Sequence, residues 1–166
     1  MVYKRVILKR GKEESLKRFH PWVFSGAIAR MDNIEEGDLV TVYDHEGNLI
    51  GNGHYQIGSI AVRILTFDDT EIDSAFFVKR LTEAYKMRQA LGLSRPDNNA
   101  FRLVHGEGDF LPGLVVDIYG STAVMQAHSP GMHFARNLIA DALTQLPNGV
   151  VKNVYYKSET TLPYKA

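Results

Sequence analysis

Cysteine is absent from all 166 residues. Its absence excludes disulfides, thiolate nucleophiles and cysteine-ligated zinc or iron–sulfur centres within the chain. It also fits a reducing compartment. Long apolar runs are lacking too: none approaches the ~20 residues of a membrane span, and the N-terminus has no apolar signal-peptide core. A cytoplasmic protein with no membrane partner is expected. The histidines at 20, 45, 54, 105, 128 and 133 never fall at metal-ligand spacing, and His-x-x-x-His does not occur. Ser25 precedes a glycine but lacks the strand–turn–helix context of a nucleophile elbow. Neither an internal repeat nor a low-complexity segment is present. What is present is 45% hydrophobic and 23% charged, the composition of a folded globular protein.

The net charge of zero conceals an uneven distribution. Residues 1–30 carry eight bases (Lys4, Arg5, Lys9, Arg10, Lys12, Lys17, Arg18 and Arg30) against Glu13 and Glu14. Residues 31–78 carry ten acids against Arg63, and the remainder is mildly basic. A basic patch on a neutral protein still attracts a polyanion, because screening confines the opposing charge to about one Debye length, ~8–10 Å. Charge alone is equally compatible with a face that only keeps the protein in solution.

Periodicity gives the organisation. Tyr3 to Lys9 reads as a strand, Lys12 to Arg18 as a helical turn, and His20 to Ile28 as a turn leading into an extended piece. Strands are expected over Leu39 to Asp44, Leu49 to Gln56 and Ile60 to Phe67, with His45-Glu46-Gly47-Asn48 as a tight turn. Short strands at this spacing predict a small barrel-like β domain ending near Phe67. Ile72 to Leu91 is predicted helical, with Ile72, Phe76, Leu81, Ala84, Tyr85 and Arg88 on the recurring face and Gly92 as the stop. Ser94 to Asn99 has loop composition. Beyond it come a strand over Phe101 to His105 and a hairpin of Leu114 to Tyr119 with Thr122 to Ala127. A helix over Met132 to Leu146 follows, with Phe134, Leu138, Ile139, Ala142 and Leu143 inward, and a last strand covers Val150 to Tyr156. That order shows no βαβ crossover pattern and predicts an α+β layer.

No complete catalytic centre can be assembled from these residues. The glycine clusters at 51–58 and 106–113 do not lead into helices, so neither offers a helix N-terminus to a phosphate, and both read as turns. Glu107 and Asp109 could serve as the paired carboxylates of a hydrolase. They fit better as acceptors of backbone N–H groups in a sharp loop. The segment from Lys17 to Gly26 carries the best functional signal. Bases stand there beside an aromatic-rich turn, and such groups hold phosphates while His or an aromatic stacks on a base. Lys17, Arg18 and His20 are the expected RNA contacts, Trp22 is expected to anchor the turn, and Val23 and Phe24 are expected in the core.

The stretches LKRFHPWVFSGAI and EGDLVTVYDHEGNLIGNGHY resemble the N-terminal PUA domain of bacterial SAM-dependent 23S rRNA cytosine-5-methyltransferases. FRLVHGEGDFLPGLVVDIYG resembles the second, strand–strand–helix–strand–strand domain of the same proteins, so the likeness covers essentially the whole chain. It implies an α+β fold: a PUA-like RNA-binding pseudo-barrel over 1–68, a linking helix and loop over 69–97, and a central α+β domain, itself incomplete, over 98–166. It implies structured RNA, 23S rRNA in particular, as partner rather than DNA, and it allows a homodimer. RNA contact is implied near Lys17, Arg18, His20 and Gly26. A catalytic domain holding S-adenosylmethionine and a nucleophilic cysteine would lie beyond residue 166, and no cofactor is expected in these residues. The chain departs from the pattern at Phe19, where a base or glycine is common, at Ile118, where Arg is common, and at Lys157-Ser158-Glu159. The alternative expectations are a stand-alone RNA-binding adaptor, a small hydrolase using Glu107 and Asp109, and a structural or dimerisation module.

Overall fold

The computed structural model describes residues 2–162. Internal contacts divide the chain into two compact units, Met1–Ile72 and Asp73–Ala166.

Unit one contains β1 (Lys4–Leu8), the single-turn helix α1 (Glu14–Lys17), β2 (Trp22–Phe24), β3 (Ile28–Met31), β4 (Leu39–Tyr43), β5 (Leu49–Tyr55) and β6 (Ile60–Thr66). The six strands form one sheet in the order β2-β6-β5-β4-β1-β3. Within it β1 and β4 run parallel, and the other neighbours are antiparallel. The two end strands, β2 and β3, are consecutive in the chain and are joined by a 3-10 turn of three residues, Ser25–Ala27. So short a link holds the two edges together, and the sheet has to curl into a half-barrel. The turn is tied to both flanks, since Ser25 N–H donates to the Ser59 carbonyl and Lys9 N–H to the Ala27 carbonyl, each at 2.8 Å. Alternation along the strands sends Val6, Leu8, Val23, Val40, Val42, Ile50, Val62 and Ile64 into a common core, which Leu16 of α1 completes.

The β4–β5 turn forms as expected. Asp44 accepts the N–H groups of Glu46 (2.9 Å) and Asn48 (2.8 Å), and Gly47 takes φ 85°. The first glycine cluster is a turn only at its end, where Gly58 takes φ 137° between β5 and β6. Gly51 and Gly53 lie inside β5, where a Cβ would meet the Thr66 carbonyl oxygen at 2.1 Å and that of Arg63 at 2.2 Å. The backbones of β5 and β6 approach closely at a bulge, and only glycine fits there. Between them Asn52 is buried and accepts the Thr41 hydroxyl at 2.6 Å. His54 is buried as well, and its Nδ1 has no hydrogen-bond partner among the described residues. Burial, aided by the Arg63 charge, lowers its pKa from 6.5 to about 4.

Unit two opens with α2 (Ser74–Ala90), which starts two residues after Ile72 because Asp73 caps it by accepting the Phe76 N–H at 3.0 Å. Its C-terminus closes as a Schellman motif on Gly92 at φ 72°, with Leu93 N–H donating to the Arg88 carbonyl. Strands β7 (Ala100–His105), β8 (Leu114–Tyr119) and β9 (Thr122–Ala127) form an antiparallel meander. Helices α3 (Pro130–Phe134) and α4 (Arg136–Thr144) then lead to β10 (Asn153–Tyr156), which pairs with β9 in parallel. The α2 and α4 helices pack on each other and against β7 and β10. Leu114, Val116 and Ile118 of β8 and Ala123, Met125 and Ala127 of β9 point into that layer and are buried.

Three expectations are corrected here. A βαβ crossover does exist, because the helices after β9 carry the chain back to the end of the sheet where β9 began, so that β10 enters parallel beside it. The single helix expected over Met132 to Leu146 is two. Ser129 and Pro130 start it early as N-cap and N1, and the helix breaks at Ala135, where the Arg136 guanidinium takes the His133 carbonyl at 2.9 Å. Phe134 and Leu138 are exposed rather than inward, leaving Ile139, Ala142 and Leu143 as the buried stripe.

Candidate nucleic-acid interface

Leu16, 2% exposed, fixes α1 to the core and thereby sets everything on its outer side. Lys17 stands in the last helical position and Arg18 caps it, both exposed. The next two residues close a Schellman motif, with Phe19 N–H donating to the Leu16 carbonyl at 2.9 Å and His20 N–H to that of Ser15 at 3.1 Å. Phe19 thereby occupies the left-handed position, φ 64°, that glycine usually fills. The residue is 69% exposed, and its ring meets Phe67 edge-on at 5.4 Å.

Past this reversal, β2 alternates. Val23 is buried, while Trp22 and Phe24 lie on the opposite face. The His20, Trp22 and Phe24 rings form an edge-to-face ladder with centroid spacings of 5.6 Å and 6.3 Å. His20 Nδ1 also accepts the Trp22 N–H at 3.2 Å, which orients the imidazole. A hollow of about 330 Å³ opens beside the ladder, bordered by Lys12, Ser15, Trp22, Phe24 and Gly26. Gly26 is exposed, its φ is not positive, and nothing lies within 4 Å of the Cβ it lacks. The fold therefore does not demand a glycine there; a side chain would project into open space.

The electrostatics are narrower than the sequence count. Lys4 pairs with Asp38 at 2.7 Å and Arg5 with Asp32 at 3.4 Å, so two acids of the acidic segment answer two of the eight N-terminal bases. Hydrogen bonds and these cations hold both carboxyls below the usual range. Lys9, Arg10, Lys12, Lys17, Arg18 and Arg30 are exposed. Lys17 also lies 3.8 Å from Glu13, an i,i+4 pair too weak to withdraw it from other anions.

Lys17, Arg18 and His20 are thus gathered on one reversal, and Gly26 lies across the hollow from α1. Phe24, expected in the core, is 51% exposed. The period-two pattern of β2 carries that signal, since an inward Val23 obliges its neighbours to face out. Residue type and spacing do not single out Lys12 or Phe19 as part of this surface. The resemblance already marks Phe19 as standing where a base or glycine is common, and the closing hydrogen bonds of α1 give the reason, a left-handed position.

Elsewhere, Glu107 and Asp109 do not form a catalytic pair. The Asp109 carboxylate, 3% exposed, takes both terminal nitrogens of Arg88 (2.7 and 2.8 Å) and the His105 N–H (2.7 Å). That is the backbone-accepting role in a sharp loop. Among the described residues no three His, Cys, Asp or Glu side chains gather as a metal site, and no helix is long and apolar enough to cross a membrane.

Residues 6–67 match the family model described as a PUA-like domain. Over 145 residues the chain is 41% identical to ribosomal RNA large subunit methyltransferase I of Escherichia coli, covering 86% of this chain and 36% of that protein. The Klebsiella pneumoniae protein of the same name is 40% identical over 148 residues, with 87% and 37% covered. The chain therefore spans little more than a third of the length of these relatives. A solved structure from Streptococcus mutans, described as a SAM-dependent methyltransferase, superposes with a TM-score of 0.78 over 95% of this chain and 41% of its own. At 18% identity that likeness is one of fold.

Proposed function

We propose that this chain is the RNA-recognition region of an rRNA methyltransferase, acting on substrate binding rather than on chemistry. One observation carries the reading: exposed Lys17 and Arg18 on the reversal that leads into an aromatic ladder of His20, Trp22 and Phe24, on the domain whose sequence matches the PUA-like model. The cations hold phosphates, while the aromatic edges and the hollow bordered by Gly26 receive sugar or base. Residues 1–68 serve as the gripping domain, and 98–166 as a central domain of the parent protein. The identity to the large-subunit enzymes supports 23S rRNA as the partner and a cytoplasmic site of action. In the parent, a catalytic domain beyond residue 166 binds S-adenosylmethionine and methylates carbon 5 of a cytosine flipped out of its stack, through a cysteine adduct.

The test is titration of 23S rRNA fragments with the full chain across a salt series. Binding is expected to weaken steeply with salt, and Lys17→Ala/Arg18→Ala to flatten the log–log slope by about 1 for each phosphate the protein no longer holds. No detectable binding at low salt, or binding indifferent to the double substitution, overturns the reading.

A further inference from the structure

Among the described residues, three helical turns close with the same pair of backbone hydrogen bonds, and they differ in the residue at the left-handed position. At the end of α2 it is Gly92, at φ 72°. After α1 it is Phe19, at φ 64°. The third closes the 3-10 turn Gly106–Asp109, where Phe110 N–H donates to the Glu107 carbonyl and Leu111 N–H to that of Gly106, both at 3.1 Å, with Phe110 at φ 58°. An L-residue there carries a backbone strain that glycine avoids, and for a bulky side chain the conformation is a real outlier. Such strain persists only where the surroundings impose it, and it is enriched at sites that bind.

The surroundings of Phe110 do impose it. Buried Asp109, clamped by Arg88 and by the His105 N–H, fixes the residue before it. Arg88 Nε also donates to the Arg102 carbonyl at 3.0 Å, tying the same loop to β7. Arg80 donates to the Phe110 carbonyl at 3.1 Å, and its guanidinium carbon lies 5.7 Å from the Phe110 centroid and 4.9 Å from that of Phe76. These contacts hold the backbone and one side of the ring. The residue is 60% exposed, so hydrophobic burial is not what keeps a phenylalanine in a glycine position.

We propose that Phe110 is a base-stacking residue, a second RNA contact lying in unit two, and that its ligand is an unpaired nucleotide. This rests on the RNA reading above. A held aromatic face beside a guanidinium accepts any unstacked base, whereas the bases of a duplex already have both faces covered. Phe19, exposed in the same conformation beside Lys17 and Arg18, is the same device within the first site. An aromatic or proline side chain of a protein partner is the competing ligand for such a ring, and the experiment separates the two.

The experiment titrates the full chain with a short single-stranded oligoadenylate containing 2-aminopurine, and with a paired duplex of equal length, following 2-aminopurine fluorescence. Phe110→Gly is expected to weaken binding of the single strand about tenfold and to reduce the stacking quench. Phe110→Tyr should retain both, and duplex binding should not change. Because glycine relieves the backbone strain, the melting temperature of Phe110→Gly should stay level or rise, so that weaker binding cannot be assigned to unfolding. Unchanged affinity and quench in Phe110→Gly, alongside weakened binding in Lys17→Ala/Arg18→Ala, overturns this inference and leaves the RNA reading standing. If the unsubstituted chain binds neither RNA at low salt, both fall, and a protein ligand for the ring is favoured.

Discussion

Two glycines show how differently the same residue can be required. At Gly53 a methyl group would overlap the Arg63 carbonyl oxygen of the neighbouring strand, and backbone cannot step aside cheaply. Gly53→Ala should therefore destabilise the fold by about 1–3 kcal/mol, the cost expected of overpacking, seen as a lower denaturant midpoint. Gly26→Ala meets nothing and should leave the stability within about 0.5 kcal/mol of the original. Any loss of RNA binding in Gly26→Ala would then report on the hollow itself. His54 gives an acid signature. The native ring resists a proton until about pH 4, whereas the unfolded chain takes one up near 6.5. Stability from this residue is intact above about pH 6.5 and falls as pH drops from there to about 4, by roughly 3 kcal/mol, since each pKa unit is worth about 1.36 kcal/mol. Equilibrium unfolding across that window checks it, and His54→Asn should flatten the dependence.

At the scale of elements, the sequence is most legible where period and punctuation agree. The strands β4, β5, β6, β8 and β9 stand where alternation puts them, and α2 ends against Gly92. It is least legible where a side chain or a distant strand decides. The break between α3 and α4 depends on a guanidinium capturing a carbonyl, which no hydrophobic period records. The parallel entry of β10 depends on topology rather than on its own residues. The loop from Gly106 to Gly113 is readable as a turn, but its rigidity comes from Arg88, which lies near the end of α2 on the face that also carries the apolar positions. The two-pronged contact of Arg88 with buried Asp109 makes a sharp prediction. Asp109→Ala should destabilise unit two by about 3–5 kcal/mol, because it strands a largely buried cation, and thermal unfolding would show it. A substitution of both partners by apolar residues should recover part of that loss.

For the molecule as a whole, the zero net charge has a kinetic meaning. Long-range attraction between this chain and RNA should be weak, and affinity should come from a few local phosphate contacts. Three such contacts would reduce binding by about 10- to 50-fold between ~50 and ~200 mM salt, and a much steeper fall would mean a broader footprint than the Lys17–Arg18 reversal. Of the candidate site, Lys17, Arg18 and His20 can be read from composition beside the His-Pro-Trp turn. The exposure of Phe24, expected in the core, follows from the pleat only once Val23 is known to face inward. Lys12 cannot be read there, because the chain brings it to β2 only when the sheet curls. That curl also orders events in time. The aromatic strand β2 is translated early, yet its sheet partner among the described residues is β6, which leaves the ribosome last among the six strands. Until then β2 has no ladder to join, and its tryptophan and two neighbouring aromatics face water or a chaperone. The surface that would hold rRNA is thus the last part of the half-barrel to close, so slow translation once β6 has cleared the ribosome should favour its correct closure.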